Sequence, residues 1–482
     1  MKSISNLFWN SINSVILAVL SFIFTPLFSS LVGIEKYGLI NIWMVSLVVV
    51  SVFDFGINLT INNVISDNSI DIQEKNKRFI YLEKKITLRI ISFFGVTVTV
   101  MGLLHLLNLL AVDFFILSVF IAFSAYMQLA FQFYVNVFLG LQLHKKVNIL
   151  NISINCIKYL GGYILLYFFN SLLVFFVFQS ILSLFQFLLL RFLVRKQLNI
   201  SKDLTQKPLN YSLSDDLKKY TKNLTILSFA SIILAHLDRI WALVVDDLQY
   251  YGYYAIAFTG ASMIQLIIQP FYKTYFSKYS SYAKSNYDEL LLLFHSSSII
   301  CNGVLTIISV NLFIYGEFLL KIWLGGVFTE GILSNFLVII IGLTLSGFFW
   351  LPAAFMQAQR NPEFHNKMIL YSILSAFITL LIGKISGLFE SPASVWIVHG
   401  IILLIFESIH LHKKYRGFKF VNWILNGVVV PFTFAVIIGY SVSLIEVKSI
   451  TIGIVQIVIS LILPITFFLC LSIKNNNLKN AF

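Results

Sequence analysis

Five full charges interrupt stretches that are otherwise apolar: Asp54, Lys158, Asp238, Arg239 and Glu407. A charge at the centre of a membrane-spanning helix costs about 2.5 to 3.5 kcal/mol even on the lenient insertion scale, so each needs a partner or a task. Lys158 has no acidic neighbour on its own helix. Either Asp54 or Glu407 neutralises it from another helix, or it awaits an anion, and the second reading is preferred. Arg239 can pair with the adjacent Asp238. His236 and His399 read as packing or hydrogen-bonding residues, and Arg89, Arg191 and Lys273 lie near span edges from which long side chains snorkel to water.

Around these charges, polar residues recur at helical spacing. Asn6, Asn10 and Asn13 form one stripe; Ser51, Asp54, Asn58 and Asn62 a second; Ser124, Gln128, Gln132 and Asn136 a third; Asn148, Asn151, Asn155, Lys158 and Gly162 a fourth. Later come Ser228, Ser231, Ala235 and Asp238, then Ser262, Gln265, Gln269 and Tyr272, then His295, Ser298, Asn302 and Ser309. In hydrocarbon a helix keeps a polar face only where that face meets protein or trapped water. Each stripe taken alone is explained by hydrogen bonds between helices, at about 0.6 kcal/mol per contact. Seven together point to a wet cavity between two halves of the molecule.

The elements that must position these residues follow from composition. Of 482 residues, 58% are apolar and only 11% charged, against about 25% charged in an average soluble protein. A water-soluble fold is thereby excluded. Apolar runs of about 20 residues, long enough to cross the membrane as helices, occur about fourteen times between residues 8 and 473, including one at 224–245. The expected fold is an all-α polytopic membrane protein: two pseudo-equivalent six-helix lobes around a central cavity, plus two C-terminal helices. Its parts are residues 1–195 (first lobe), 196–222 (basic cytoplasmic linker), 223–412 (second lobe) and 413–482 (last two spans and tail). A short repeat supports two halves: Val32-Gly-Ile-Glu-Lys-Tyr-Gly-Leu39 after the first span is answered by Asp246-Asp-Leu-Gln-Tyr-Tyr-Gly-Tyr253 after the seventh.

Charge asymmetry orients the chain. With the N-terminus inside, only Lys36, Lys321, Lys384 and Lys448 fall on outer segments, and nearly all other Lys and Arg outside the spans fall on inner ones. The net charge of +13 is therefore mostly a cytoplasmic coat, not a nucleic-acid surface, and both termini are expected to be cytoplasmic. No phosphate-binding Gly-x-x-x-x-Gly-Lys-Ser/Thr motif and no zinc-like spacing of ligands is present. The three cysteines, Cys156, Cys301 and Cys470, are far apart and read as packed side chains. Outer loops are too short for the catalytic loop of a membrane polymerase. A transporter is expected, without cofactor or metal.

The segment Leu31-Val-Gly-Ile-Glu-Lys-Tyr-Gly-Leu-Ile-Asn-Ile-Trp43, followed by Phe53-Asp-Phe-Gly-Ile57, resembles the opening of Wzx-type O-antigen and polysaccharide flippases of the multidrug/oligosaccharidyl-lipid/polysaccharide exporter superfamily. Tyr251-Gly-Tyr-Tyr-Ala255, Leu320-Lys-Ile-Trp-Leu-Gly325 and Pro352-Ala-Ala-Phe-Met-Gln357 with Arg360-Asn-Pro362 resemble later parts of the same pattern. The resemblance implies alternating access by two lobes. It also implies turning of an undecaprenyl-diphosphate-linked oligosaccharide from the inner to the outer leaflet of a bacterial inner membrane, for O-antigen, lipopolysaccharide or similar surface-polysaccharide biosynthesis. Membrane lipids and the polysaccharide polymerase machinery are the implied partners. On this reading Lys158 and Arg239 hold the diphosphate, while Asn10, Asn13, Asn151, Asn155, Gln128, Gln132, Gln265 and Gln269 hold the sugars. Asp54, Asp238 and Glu407 couple to H+ or Na+, with membrane potential as a further energy source. Multidrug and lipid II exporters of the same superfamily are the alternatives.

Overall fold

Backbone groups in hydrocarbon must satisfy one another within their own segment, so apolar runs of this length fold as helices. The computed structural model describes residues 2–66, 71–109, 111–199, 229–230, 232–244, 247–283, 287–359, 363–387, 391–415, 419–445 and 449–474, and they are overwhelmingly helical. Most of the expected linker, Arg360-Asn-Pro362, and the first residues of the expected span at 224–245 lie outside the described residues. Among those described, 12 helices are long and apolar enough to cross a membrane, or 13 if one bent pair is counted as a single span. These thirteen coincide in order with thirteen of the expected fourteen.

Two compact units divide the chain, Met1–His236 and Leu237–Phe482. The first holds α1 (Lys2–Val32), α2 (Ile34–Val49), α3 (Ile57–Ser66), α4 (Ile72–Leu106), α5 (Val112–Gly140), α6 (His144–Phe169) and α7 (Leu172–Gln197). Gly33, at φ +82°, makes the sharp turn between α1 and α2. Asp71 caps α4 by accepting from Gln73 N at 3.0 Å. The core gathers Ile57 and Ile61 of α3, Phe79 and Leu82 of α4, Phe133 and Val137 of α5 and Leu190 of α7, all fully buried. Glu83, buried at the same place, accepts from Arg195 Nη2 at 2.7 Å, Arg191 Nε at 3.3 Å and Tyr134 Oη at 2.6 Å. Arg191 is thus paired to a carboxylate and does not simply snorkel.

The second expected span is broken. After α2 the chain tightens into a 3₁₀ segment, Val50–Asp54, and then turns through Phe55 (φ 47°) and Gly56 (φ 73°) before α3 starts. Left-handed backbone at a phenylalanine is strained and persists only where the surroundings hold it. Arg89 supplies the hold, donating from Nη1 to the Asp54 carbonyl at 2.8 Å with its guanidinium 4.8 Å from the Phe55 ring.

The helix at 232–244, α8, runs across the boundary at Leu237 and opens the second unit with its later residues. The unit continues with α9 (Leu248–Ser262), α10 (Gln265–Tyr282), α11 (Tyr287–Ile314), the short α12 (Gly316–Leu324), α13 (Glu330–Gly347), α14 (Trp350–Ala358), α15 (Glu363–Ser386) and α16 (Ser394–Ile402). Next come α17 (Ser408–Lys414), α18 (Phe420–Ile424), α19 (Val430–Ser443) and α20 (Ile450–Lys474). The α9–α10 pair bends by 44°. One π-helical turn, Leu403–Glu407, separates α16 from α17, and another, Leu425–Val429, separates α18 from α19. The last spans pack on α11: Asn311 Nδ2 donates to the Ser460 carbonyl at 3.2 Å, and Tyr315 Oη to the Gly439 carbonyl at 3.1 Å.

Glycine sets how closely α13 and α16 approach. A Cβ on Gly342 would lie 2.4 Å from Trp396 Cβ and 2.8 Å from its carbonyl carbon, while one on Gly400 would lie 2.4 Å from Leu345 Cβ and 3.0 Å from Ser346 N. Small residues facing backbone on both partners are the usual device for tight helix crossings in membranes. Gly342→Val or Gly400→Val is expected to push the pair apart and destabilise the protein by about 1 to 3 kcal/mol, read as a lower thermal-unfolding midpoint in detergent, whereas Gly326→Ala, on open surface, should leave it unchanged.

Candidate functional site

Within the first unit, α1, α2, α3, α5, α6 and α7 surround a cavity of about 540 Å³. Its polar lining is Ser21, Ser51, Asn58, Gln128, Gln132, Asn136, Asn155, Lys158, Tyr159 and Gln179; Phe28, Trp43, Met44 and Phe175 supply much of the apolar wall. Lys158 projects into it from α6 and is only 3% exposed. Gly162, one turn further on, leaves room for α7: a Cβ there would stand 2.7 Å from Phe175 Cε2. That close approach lets Gln179 Nε2 donate to the Lys158 carbonyl at 3.0 Å. On the other side Trp43 is fixed by donation from Nε1 to Ser124 Oγ at 2.8 Å.

The expected substrate residues divide by what their side chains already do. Asn148 Nδ2 donates to Asn10 Oδ1 at 2.6 Å, and Asn151 Nδ2 to Asn13 Oδ1 at 3.0 Å, so these four join α1 to α6. Asn155 lines the cavity but turns its amide back to the Asn151 carbonyl at 2.8 Å. Gln128 and Gln132 face the same space one turn apart. Among the described residues, the side chains of Gln128, Gln132 and Lys158 have no hydrogen-bond or ion-pair partner, and Asn58 Oδ1 is buried without one. Lys158 therefore enters the cavity as a cation that no described carboxylate neutralises. Asp54 does not pair with it; its Oδ1 accepts from Gly56 N at 2.7 Å and stabilises the break in span two.

Arg239, Gln265, Gln269, Asp238 and Glu407 belong to the second unit. The Arg239 guanidinium lies 3.9 Å from the Phe258 ring. Gln265 and Gln269 are half-buried just past the bend between α9 and α10. Asp238 is fully buried on α8, with Oδ2 accepting from Tyr254 Oη at 2.5 Å and Trp396 Nε1 at 2.8 Å. The other oxygen, Oδ1, is buried with no hydrogen-bond partner among the described residues. His399, on the same helix as Trp396, meets Ser372 Oγ at 2.8 Å, in line with its expected packing and hydrogen-bonding role. Glu407 is buried at the end of the π-helical turn. Sequence reading passed over Gln179, Trp43 and Tyr159. Gln179 had a signal, because Gln179, Ser183 and Gln186 step along one buried face of α7.

The sequence profile of the family described as "Polysaccharide biosynthesis protein" matches residues 3–280. The chain belongs to that family. Among curated proteins none matches the sequence. Among solved structures, the fold is similar to the lipid II flippase MurJ in an inward closed conformation, with TM-score 0.73 at 14% identity over 97% of this chain and 99% of that one. It is also similar to an inward-facing multidrug resistance MATE transporter of the MOP superfamily, with TM-score 0.64 at 12% identity over 83% and 96% of the two chains. An outward-facing MATE transporter matches with TM-score 0.56 at 10% identity over 83% and 93%. This member of the polysaccharide biosynthesis family thus shares the fold of membrane transporters.

The division between engaged and open amides is measurable. Asn10→Ala and Asn148→Ala should couple in a double-mutant cycle by about 0.6 kcal/mol, read from thermal unfolding, while Gln128→Ala should leave stability within about 0.5 kcal/mol.

Proposed function

We propose that the protein is a flippase that carries an undecaprenyl-diphosphate-linked oligosaccharide, an O-antigen or similar repeat unit, from the inner to the outer leaflet of the bacterial inner membrane by alternating access. The observation that carries this reading is Lys158: a buried cation on a cavity wall, with open amides beside it and no carboxylate partner among the described residues. An ammonium so placed lacks a counter-charge that a diphosphate supplies, and Gln128 and Gln132 offer donors and acceptors suited to hydroxyl-rich sugars. The aromatic residues Trp43, Tyr159 and Phe175 add flat apolar surface for the ring faces. A polyprenyl tail needs no cavity, since it can stay in lipid. Membership of a polysaccharide biosynthesis family agrees with a substrate of this class.

A doubly negative headgroup leaving a negative interior gains about 4 to 5 kcal/mol per 100 mV of membrane potential. Asp238, whose Oδ2 accepts from both Tyr254 and Trp396, is the coupling residue best placed for H+ or Na+; Asp54, by contrast, serves the backbone of span two. A lipid II type of precursor is the second reading. It is favoured by the match to MurJ over nearly the whole of both chains, and it shares the diphosphate.

Lys158→Ala is expected to lower translocation of a lipid-linked oligosaccharide in proteoliposomes by roughly 30-fold or more, the loss of one buried charge contact, and Lys158→Arg to restore most of it. Undiminished transport by Lys158→Ala would remove the diphosphate role. Transport should also rise when an inside-negative potential is imposed, in the direction that carries negative charge outward; a rate indifferent to potential and to H+ and Na+ gradients would leave passive gating.

A further inference from the structure

A second cavity, of about 410 Å³, lies away from the first, where the N-terminal end of α6 meets the C-terminal end of α7. Its rim carries Lys146 from α6 and Lys196, Gln197 and Asn199 from the end of α7, and its floor is apolar, with Leu150 and Leu193. Both lysines are exposed, and among the described residues neither has an acidic partner and no acid lines the space. Neighbouring charges are already committed. Lys145 lies over the Trp9 ring at 5.4 Å, and Arg195 is bound to Glu83. The first turn of α6 contains no acid and two lysines, like charges at the positive end of a helix dipole, an arrangement that an anion relieves.

An occupant of this cavity must be anionic at the rim and apolar beneath. Beside it on the outer faces of α6 and α7, Ile149, Leu188 and Phe192 are exposed and offer a surface for chains lying in hydrocarbon. The pocket also sits on the side of the membrane where most of the Lys and Arg residues fall, the side whose lipids are reached by basic juxtamembrane groups. We propose that this pocket is a binding site for an anionic glycerophospholipid, with its phosphate between Lys146 and Lys196 and its acyl chains along α6 and α7. It is separate from the Lys158 cavity and does not depend on what that cavity carries.

The test is a lipid titration of the full-length protein in detergent followed by native mass spectrometry, comparing dioleoylphosphatidylglycerol with dioleoylphosphatidylcholine. Adducts are expected with the anionic lipid at concentrations where the zwitterionic one gives few. K146A/K196A should weaken that affinity about 30-fold, from the contribution of two lysines near a charged lipid surface. K146R/K196R should retain it, and K84A/K85A, which removes two lysines outside the pocket, should leave it unchanged. Equal binding of the two lipids, or no loss in K146A/K196A, would overturn the proposal. So would displacement of the lipid by soluble glycerol 3-phosphate at matching concentration, which would mark the pocket as a site for free phosphate.

Discussion

Hydrocarbon offers no hydrogen-bond partner, and every polar side chain within the spans must answer to that fact. Most do so by pairing inside the protein. Asn10 with Asn148 and Asn13 with Asn151 fasten α1 to α6; Trp43 with Ser124 fastens α2 to α5; Asn311 with Ser460 fastens α11 to α20. Each bond contributes little by itself, yet leaving one partner buried and alone would cost about 1 to 3 kcal/mol. The pairs therefore act on specificity of packing as much as on stability. Against this background one cluster of open groups is informative. Lys158, Gln128, Gln132 and Asn58 share one cavity, the grouping on which the proposed substrate class rests.

Much of this was legible in the residues. Apolar run length located the spans, because the thickness of the bilayer leaves a helix few alternatives. The stripe from Asn148 through Lys158 to Gly162 marked a polar face of α6. What the stripe could not say is which of its members look inward to a cavity and which look sideways to a neighbour. Asn10 and Asn151 have the same chemistry as Gln128, and periodicity places both kinds on a polar face. Only the packing of α1 against α6 separates them. Asp54 shows the same gap from another direction. Its charge suggested a coupling role, but its carboxylate accepts from the backbone of Gly56, two residues on, at a turn that no periodicity announces. The four small residues at the α6–α7 and α13–α16 crossings, Gly161, Gly162, Gly342 and Gly400, likewise carry meaning only once the opposing rings and backbone are known.

The two units manage buried charge differently. In the first, Glu83 is saturated by two arginines and a tyrosine, whereas Lys158 has no counter-charge. In the second, Asp238 is gripped by a phenol and an indole, both donating to the same carboxyl oxygen. The tight crossing of α13 and α16 sets the position of Trp396 and so the grip on Asp238.

The π-helical turn at Leu403–Glu407 has a consequence for kinship. Such a turn is one surplus residue in a helix that otherwise advances about 100° per residue, so everything after it is rotated against everything before. Trp396 and His399 precede the surplus, and Ser408 and His410 follow it. A relative that dispensed with it would show its equivalent of Ser408 to a different neighbour, even with every other letter of the span preserved. An alignment of this helix with such a relative would need a gap in the middle of the span.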